Sequence, residues 1–325
     1  MPTWGELLNE IARRFAEGEK DAFDTVRRRA LADLAQYTKR NTILYATGHL
    51  QKRNVAVPDL LSITHEDIEG FMEVIYGLTG HTLDLILHSP GGLPDAAEAI
   101  VTYLRSKFTD IRVIVPHEAM SAATLIACAA DRILMGRHSY LGPVDPQIQY
   151  GVYSVPAQAV IDQFQRAKND VVGDPRTLAV WVPILQQYGP ALIEQCENAK
   201  ELSKELVSSW LQRWMFRKAR KREERATAVS EALTDYRRWR IHSRPLHAKY
   251  LKSLGLAVDL IENDQRLQDL VLTVYHATMH TFSGTPAVKI IENHLGRSFI
   301  KLVTFHPPSL PSGTVPPPTT TPPST

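Results

Sequence analysis

A single serine, Ser121, interrupts the small and apolar run VIVPHEAMSAATLIACAADRILMG at residues 113–136. A hydroxyl placed where a strand turns sharply into a helix is presented at the edge of a sheet. The positive end of the helix dipole and amides without intrahelical partners lie close to it. Such a position favours developing negative charge, which is what acyl transfer requires: a nucleophilic hydroxyl and two donors aimed at the oxyanion of the tetrahedral intermediate. Upstream, LDLILHSPGG (83–92) closes on Gly91 and Gly92, whose side-chain-free backbone a substrate carbonyl can approach closely. The candidate oxyanion donors are therefore the amides of Gly92 and Ala122. Read alone, a serine at a helix start is an N-cap and a Pro-Gly-Gly is a turn; it is their order and joint placement that point to chemistry.

Other polar residues near these motifs have plainer readings. His117 stands close to Ser121 in sequence and is an alternative base. His88 ends its strand as a hydrogen-bonded structural residue. Asp145, in GPVDPQ, reads as an Asx-type turn residue before Pro146, and no role follows from the residues for His242. The two cysteines, Cys128 and Cys196, have no metal-ligand spacing, and no glycine-rich, lysine-terminated phosphate loop occurs, so neither metal nor nucleotide cofactor is expected.

The elements that must position this chemistry alternate. NTILYATG (41–48) reads as a strand, ITHEDIEGFMEVIYGL (63–78) as a helix, 83–92 as a buried strand and PDAAEAIVTYLRSKF (94–108) as a helix. IRVIVP (111–116), SAATLIACAA (121–130) and DRILMG (131–136) continue as strand, helix and strand. This pitch predicts an α/β fold with a mostly parallel sheet covered by helices on both sides. Sites in open sheets of this kind gather at the carboxyl ends of the strands, where Gly91, Gly92 and Ser121 all fall. Residues 5–38 predict two amphipathic helices. The segment 156–231 is helical and carries the basic run RWMFRKARKREER, and YLKSLGLAVDLI predicts a helix, a glycine turn and a strand.

Taken together, LDLILHSPGG, IVPHEAMSAATLIACAADRILMG and SYLGPVDPQI resemble, in order and spacing, the serine dehydrogenase proteinase family, relatives of the signal peptide peptidase and Clp protease groups within the crotonase-like fold. A looser likeness covers LTDYRRWRIHSRPLHAKYLKSLGLAV (233–258). The resemblance implies a crotonase/Clp-like parallel sheet and a serine peptidase in which Ser121 is the nucleophile and Gly91 and Gly92 form the oxyanion loop. No histidine occupies the place where the Clp proteases carry theirs. By the signal peptide peptidase pattern, the resemblance instead implies a Ser-Lys dyad with Lys168 as base. Ala123 stands where these relatives carry glycine, which would strain the chain if that position needed positive φ and would suit a right-handed helix.

The domain organisation expected is a helical arm at 1–40, a crotonase-like protease domain at 41–285, a C-terminal extension at 286–306 and a disordered Pro/Thr-rich tail at 307–325. The 325 residues carry a formal net charge of +2, which argues against a nucleic-acid partner held by bulk charge, and the basic run reads as a solvated helix face. No apolar run reaches the roughly 18 residues of a membrane span. The expected partners are a peptide or protein substrate and further copies of the chain, with the helices at 5–38 and 190–231 as subunit contacts and a cytoplasmic location. The rival readings are a catalytically inactive peptide-binding or scaffolding protein, an acyl-CoA enzyme that uses the oxyanion pair without a nucleophile, and a nucleic-acid-associated scaffold.

Overall fold

The computed structural model describes residues 3–54, 57–150 and 153–303; the tail expected at 307–325 lies outside them. Two helices, α1 (Trp4–Ala16) and α2 (Ala22–Thr38), precede the sheet. The alternation then runs β1 (Asn41–Thr47), α3 (Pro58–Leu61), α4 (Asp67–Ile75), β2 (Thr82–His88), α5 (Pro94–Lys107), β3 (Asp110–Val115), β4 (Glu118–Ala119), α6 (Ala122–Cys128) and β5 (Arg132–Met135). Short strands β6 (Tyr140–Leu141), β7 (Gln147–Tyr150) and β8 (Tyr153–Pro156) lead into helices α7 (Ala157–Gly173), α8 (Leu178–Leu185), α9 (Leu192–Arg213), α10 (Arg222–Thr234) and α11 (Tyr236–Trp239). The chain closes with β9 (Leu246–His247), α12 (Ala248–Ser253), β10 (Val258–Leu260), α13 (Gln265–Gly284), β11 (Ala287–Asn293) and β12 (Ser298–Leu302).

Seven strands form the main sheet in the order β10-β5-β3-β2-β1-β11-β12. The first five are parallel, and β11 and β12 add antiparallel pairs beyond β1. Because strand side chains alternate faces, each strand serves two cores. Leu83, Leu85 and Leu87 of β2 join Val113 and Val115 of β3 under α4, α5 and α6. Ile86, Ile114 and Leu134 face the other way, into a core closed by Leu31 and Leu34 of α2 and Val271 and Val274 of α13. The result is a mixed α/β fold, its largely parallel sheet flanked by helices on both faces.

Two segments set apart in the sequence reading are tied into this sheet. Helix α2, from the N-terminal arm, covers one face, and residues 287–302, from the expected C-terminal extension, supply β11 and β12. Strand β11 is fixed by buried charge as well as by pairing. Lys289 Nζ donates to Asp67 Oδ1 at 2.6 Å and to the Ser62 carbonyl at 2.7 Å, with both side chains of the ion pair fully buried. Asp67 also accepts from the Tyr45 hydroxyl at 2.7 Å and the Thr64 amide at 2.9 Å. This network orders the chain from Ser62 to Thr64, which packs directly against Gly92.

Candidate active site

Strand β3 ends at Val115, and after the short β4 the chain reverses into α6 through Met120–Ala123. The Ala123 amide donates to the Met120 carbonyl at 2.9 Å, closing a four-residue turn. Ser121 occupies its second position at φ 51°, ψ −117°. That is the backbone of a type II′ turn, a position normally taken by glycine. A serine held there is strained. The Ser121 hydroxyl makes no capping bond to α6 and has no hydrogen-bond partner among the described residues. Ala123 lies within α6, fully buried and outside the positive-φ positions, so its methyl is accommodated in a right-handed helix without strain. Cys128, at the buried end of the same helix, is no competitor as nucleophile, since burial pushes its thiol up to about 12.

The Pro-Gly-Gly loop is held against this turn from both sides. The Met120 amide donates to the Ser89 carbonyl at 2.9 Å, and the Ser89 amide to that of Glu118 at 3.2 Å. On the other side, the Ile63 amide donates to the Gly91 carbonyl at 2.7 Å and the Leu93 amide to the Ile63 carbonyl at 3.0 Å. Gly91 has φ +103° and lies so close to the serine that an added Cβ would stand 2.7 Å from Ser121 Cβ. At Gly92, φ +152°, an added Cβ would fall 2.2 Å from the Ile63 carbonyl oxygen. Both positions therefore exclude side chains. The amides of Gly92 and Ala122 have no acceptor among the described residues.

Beside the serine turn lies a small sheet in the order β4-β6-β9. Ala119 pairs with Leu141, and Leu141 with Leu246. Thr124, in the first turn of α6, ties this sheet to the serine: its hydroxyl bonds the carbonyls of Ala119 at 2.8 Å and Gly142 at 3.0 Å and accepts from the Gly142 amide at 3.1 Å. Beyond the paired residues, Asp145 and His242 meet. His242 Nδ1 lies 2.8 Å from Asp145 Oδ1. The sequence reading made Asp145 a turn residue and gave His242 no role. They stand 97 residues apart, and only strand pairing brings them together.

The two candidate bases from the sequence lie elsewhere. Lys168 is exposed on α7, a helix that packs chiefly on α9, α8, α11 and β8, so it lacks the burial that turns a lysine into a base. His117 turns toward α13, where its Nδ1 lies 3.1 Å from the Tyr275 hydroxyl. It belongs to a polar cluster that also includes His49, His88, Glu118 and Tyr140. Burial raises the Glu118 carboxyl, but the hydrogen bonds from His49 (2.5 Å) and from Tyr140 outweigh it and hold the group down at about 2. His88 is fully buried. Burial first, and the charge of His49 second, push its imidazole down to about 3, so it is neutral. Its Nδ1 donates to the Glu118 carbonyl at 3.2 Å, while Nε2 has no partner among the described residues. A cavity of about 630 Å³ lies at the opposite end of the strands, lined by Asp110, Arg112, Asp131 and Arg132, far from Ser121 along the sheet.

The family model of the ClpP-like SDH-type serine proteinases matches residues 17–292. The chain belongs to this family. Two uncharacterized proteins of Methanocaldococcus jannaschii are similar to this chain. One is 36% identical over 224 residues, spanning 68% of this chain and 70% of the relative, and the other is 35% identical over 226 residues, spanning 68% of each. Among solved structures, a serine-to-alanine mutant of the 1510-N membrane-bound stomatin-specific protease is similar over 64% of this chain and 79% of its own, at 16% identity and a TM-score of 0.37. Among the described residues of this family member, no helix is long and apolar enough to cross a membrane.

Proposed function

We propose that the chain is a serine peptidase in which Ser121 attacks the carbonyl carbon of a peptide bond and the amides of Gly92 and Ala122 hold the oxyanion. The observation that carries this reading is the Ser121 turn. Among the described residues, its strained II′ backbone presents a hydroxyl without a partner beside Gly91 and two amides without acceptors. The backbone energy invested there has a use if the hydroxyl is kept out of capping and available for attack. Family membership supports the same chemistry. Lys168, the base that the resemblance implies, is exposed, and the reading of Ser121 and its oxyanion donors does not depend on it.

Assembly into a homo-oligomer is part of the same proposal. Helix α8, LAVWVPIL, has no buried residue although nearly every side chain is apolar, with Leu178 and Val180 well exposed. An apolar helix left open in this way supports a contact between subunits.

The test is hydrolysis of an unbiased peptide library followed by mass spectrometry. New termini that appear with wild type and vanish with Ser121→Ala support the peptidase reading. A folded wild type that binds peptides but yields no new termini overturns it in favour of peptide binding.

A further inference from the structure

The oxyanion donor on the glycine loop is one end of a peptide group whose other end is already held. The Gly92 amide shares its peptide plane with the Gly91 carbonyl, and in a trans peptide the two point in opposite directions. That carbonyl accepts from the Ile63 amide at 2.7 Å, so the Gly92 N–H is aimed away from residue 63. On the far side lies the serine turn, with Ser121 Cβ 2.7 Å from the place a Gly91 Cβ would take. The loop does not fix this orientation by itself. Reversing the peptide turns ψ of Gly91 and φ of Gly92, and glycine lacks the Cβ that restricts both. A reversed peptide would present a carbonyl oxygen to the oxyanion. The bond from Ile63 therefore selects the donor.

Ile63, which meets the loop as a single parallel bridge to Gly92, is held in turn by the fully buried Lys289–Asp67 pair. Two consecutive peptide groups connect them. In the Ser62–Ile63 peptide, the carbonyl accepts from Lys289 Nζ at 2.7 Å and the amide donates to Gly91. In the Ile63–Thr64 peptide, the amide donates to Asp67 Oδ2 at 2.9 Å and the carbonyl accepts from the Leu93 amide at 3.0 Å. Each charge stands where it strengthens the bond beyond it. An ammonium at the carbonyl end of a peptide makes its amide a stronger donor, and a carboxylate at the amide end makes its carbonyl a stronger acceptor. Polarisation from Lys289 thus passes through two peptide groups to the Gly92 N–H. A buried ion pair adds little stability that apolar residues of the same shape would not; this one directs both charges at the backbone that carries the oxyanion donor.

We infer that Lys289 and Asp67 are positioning residues for the oxyanion donor: acting through Ile63, they hold the Gly91–Gly92 peptide with its N–H toward Ser121 and polarise it. The inference rests on the proposed peptidase reading.

The experiment measures kcat and KM for a peptide that wild type cleaves, together with inhibition by a peptide boronate, whose tetrahedral adduct on Ser121 sets an oxygen against the donors. Lys289→Met is expected to lower kcat by about 10², the order lost with an oxyanion donor, to weaken boronate inhibition by a similar factor and to leave KM unchanged. Adding Asp67→Asn removes the uncompensated carboxylate, so the double variant is expected to regain stability but not kcat, whereas a merely structural role would return both together. Arg27→Met is the control. It breaks the other fully buried ion pair on β11, with Glu292, which has no hydrogen bond to residues 62–64 among the described residues, and it is expected to keep the wild-type kcat. If Lys289→Met does not fold, the double variant carries the test. Wild-type kcat in either folded Lys289 variant, or an equal loss in Arg27→Met, overturns the inference and leaves the peptidase reading standing where Ser121→Ala is inactive. A wild type without Ser121-dependent turnover overturns both.

Discussion

Ser121 stands where a type II′ turn wants glycine, and that strain has a measurable value. Holding a non-glycine residue in a sparsely populated backbone region costs about 1–3 kcal/mol. At φ 51°, ψ −117° both serine and alanine bear this cost, whereas glycine does not. Glycine gives back about 0.4–1 kcal/mol through the greater freedom of the unfolded chain. Because the hydroxyl has no capping bond to lose, the comparison of Ser121→Gly with Ser121→Ala isolates the backbone. The expectation is that Ser121→Gly is the more stable of the two by about 1.3 kcal/mol, the difference between the midpoints of those ranges. The assay is urea unfolding at neutral pH, followed by fluorescence and read as a shift in midpoint at constant slope. A glycine variant no more stable than the alanine variant would refute the claim that the nucleophile position is strained.

Three further outcomes follow from the same structure. Lys289→Met leaves the buried Asp67 carboxylate without its cation, so it should destabilise by about 3–5 kcal/mol, and adding Asp67→Asn should recover part of that loss in urea unfolding. His88 is held neutral with its imidazole at about 3; since its folded value lies below its unfolded one, its contribution is present above about pH 6.5 and is lost as pH falls toward 3. Between pH 7 and pH 5 wild type should therefore lose about 2 kcal/mol more stability than His88→Phe, and equal losses would contradict the assignment of a buried neutral ring. If α8 is a subunit contact, Leu178→Glu with Val180→Glu should reduce the mass measured by sedimentation without altering the circular dichroism spectrum.

The sequence made the parallel core legible because its signals are local. Alternating apolar strands, small-residue helices and a Pro-Gly-Gly turn lie within a few residues of one another, and Gly91, Gly92, Ser121 and Ala122 meet where that alternation says they should. Strands β11 and β12 were less visible: β11 reaches its place through antiparallel pairing with β1 across most of the chain, and local periodicity carries no trace of such a partner. The buried Lys289–Asp67 pair was hidden for the same reason. His242 could not be connected to Asp145 from spacing, since β6 and β9 must pair before the two side chains approach. The resemblance led instead to Lys168, where helix α7 leaves the side chain exposed. His242 lies in the looser likeness over 233–258, which gave it no role and names no partner.

The central claim is that Ser121 is an activated nucleophile. Its most direct measurement is to react the folded chain with a fluorophosphonate probe and to map the adduct by peptide mass spectrometry. The account predicts one phosphonylated residue, Ser121, and none after heat denaturation or in Ser121→Ala. An adduct on a different serine, or a folded protein that takes no label across pH 6 to 10, would contradict it.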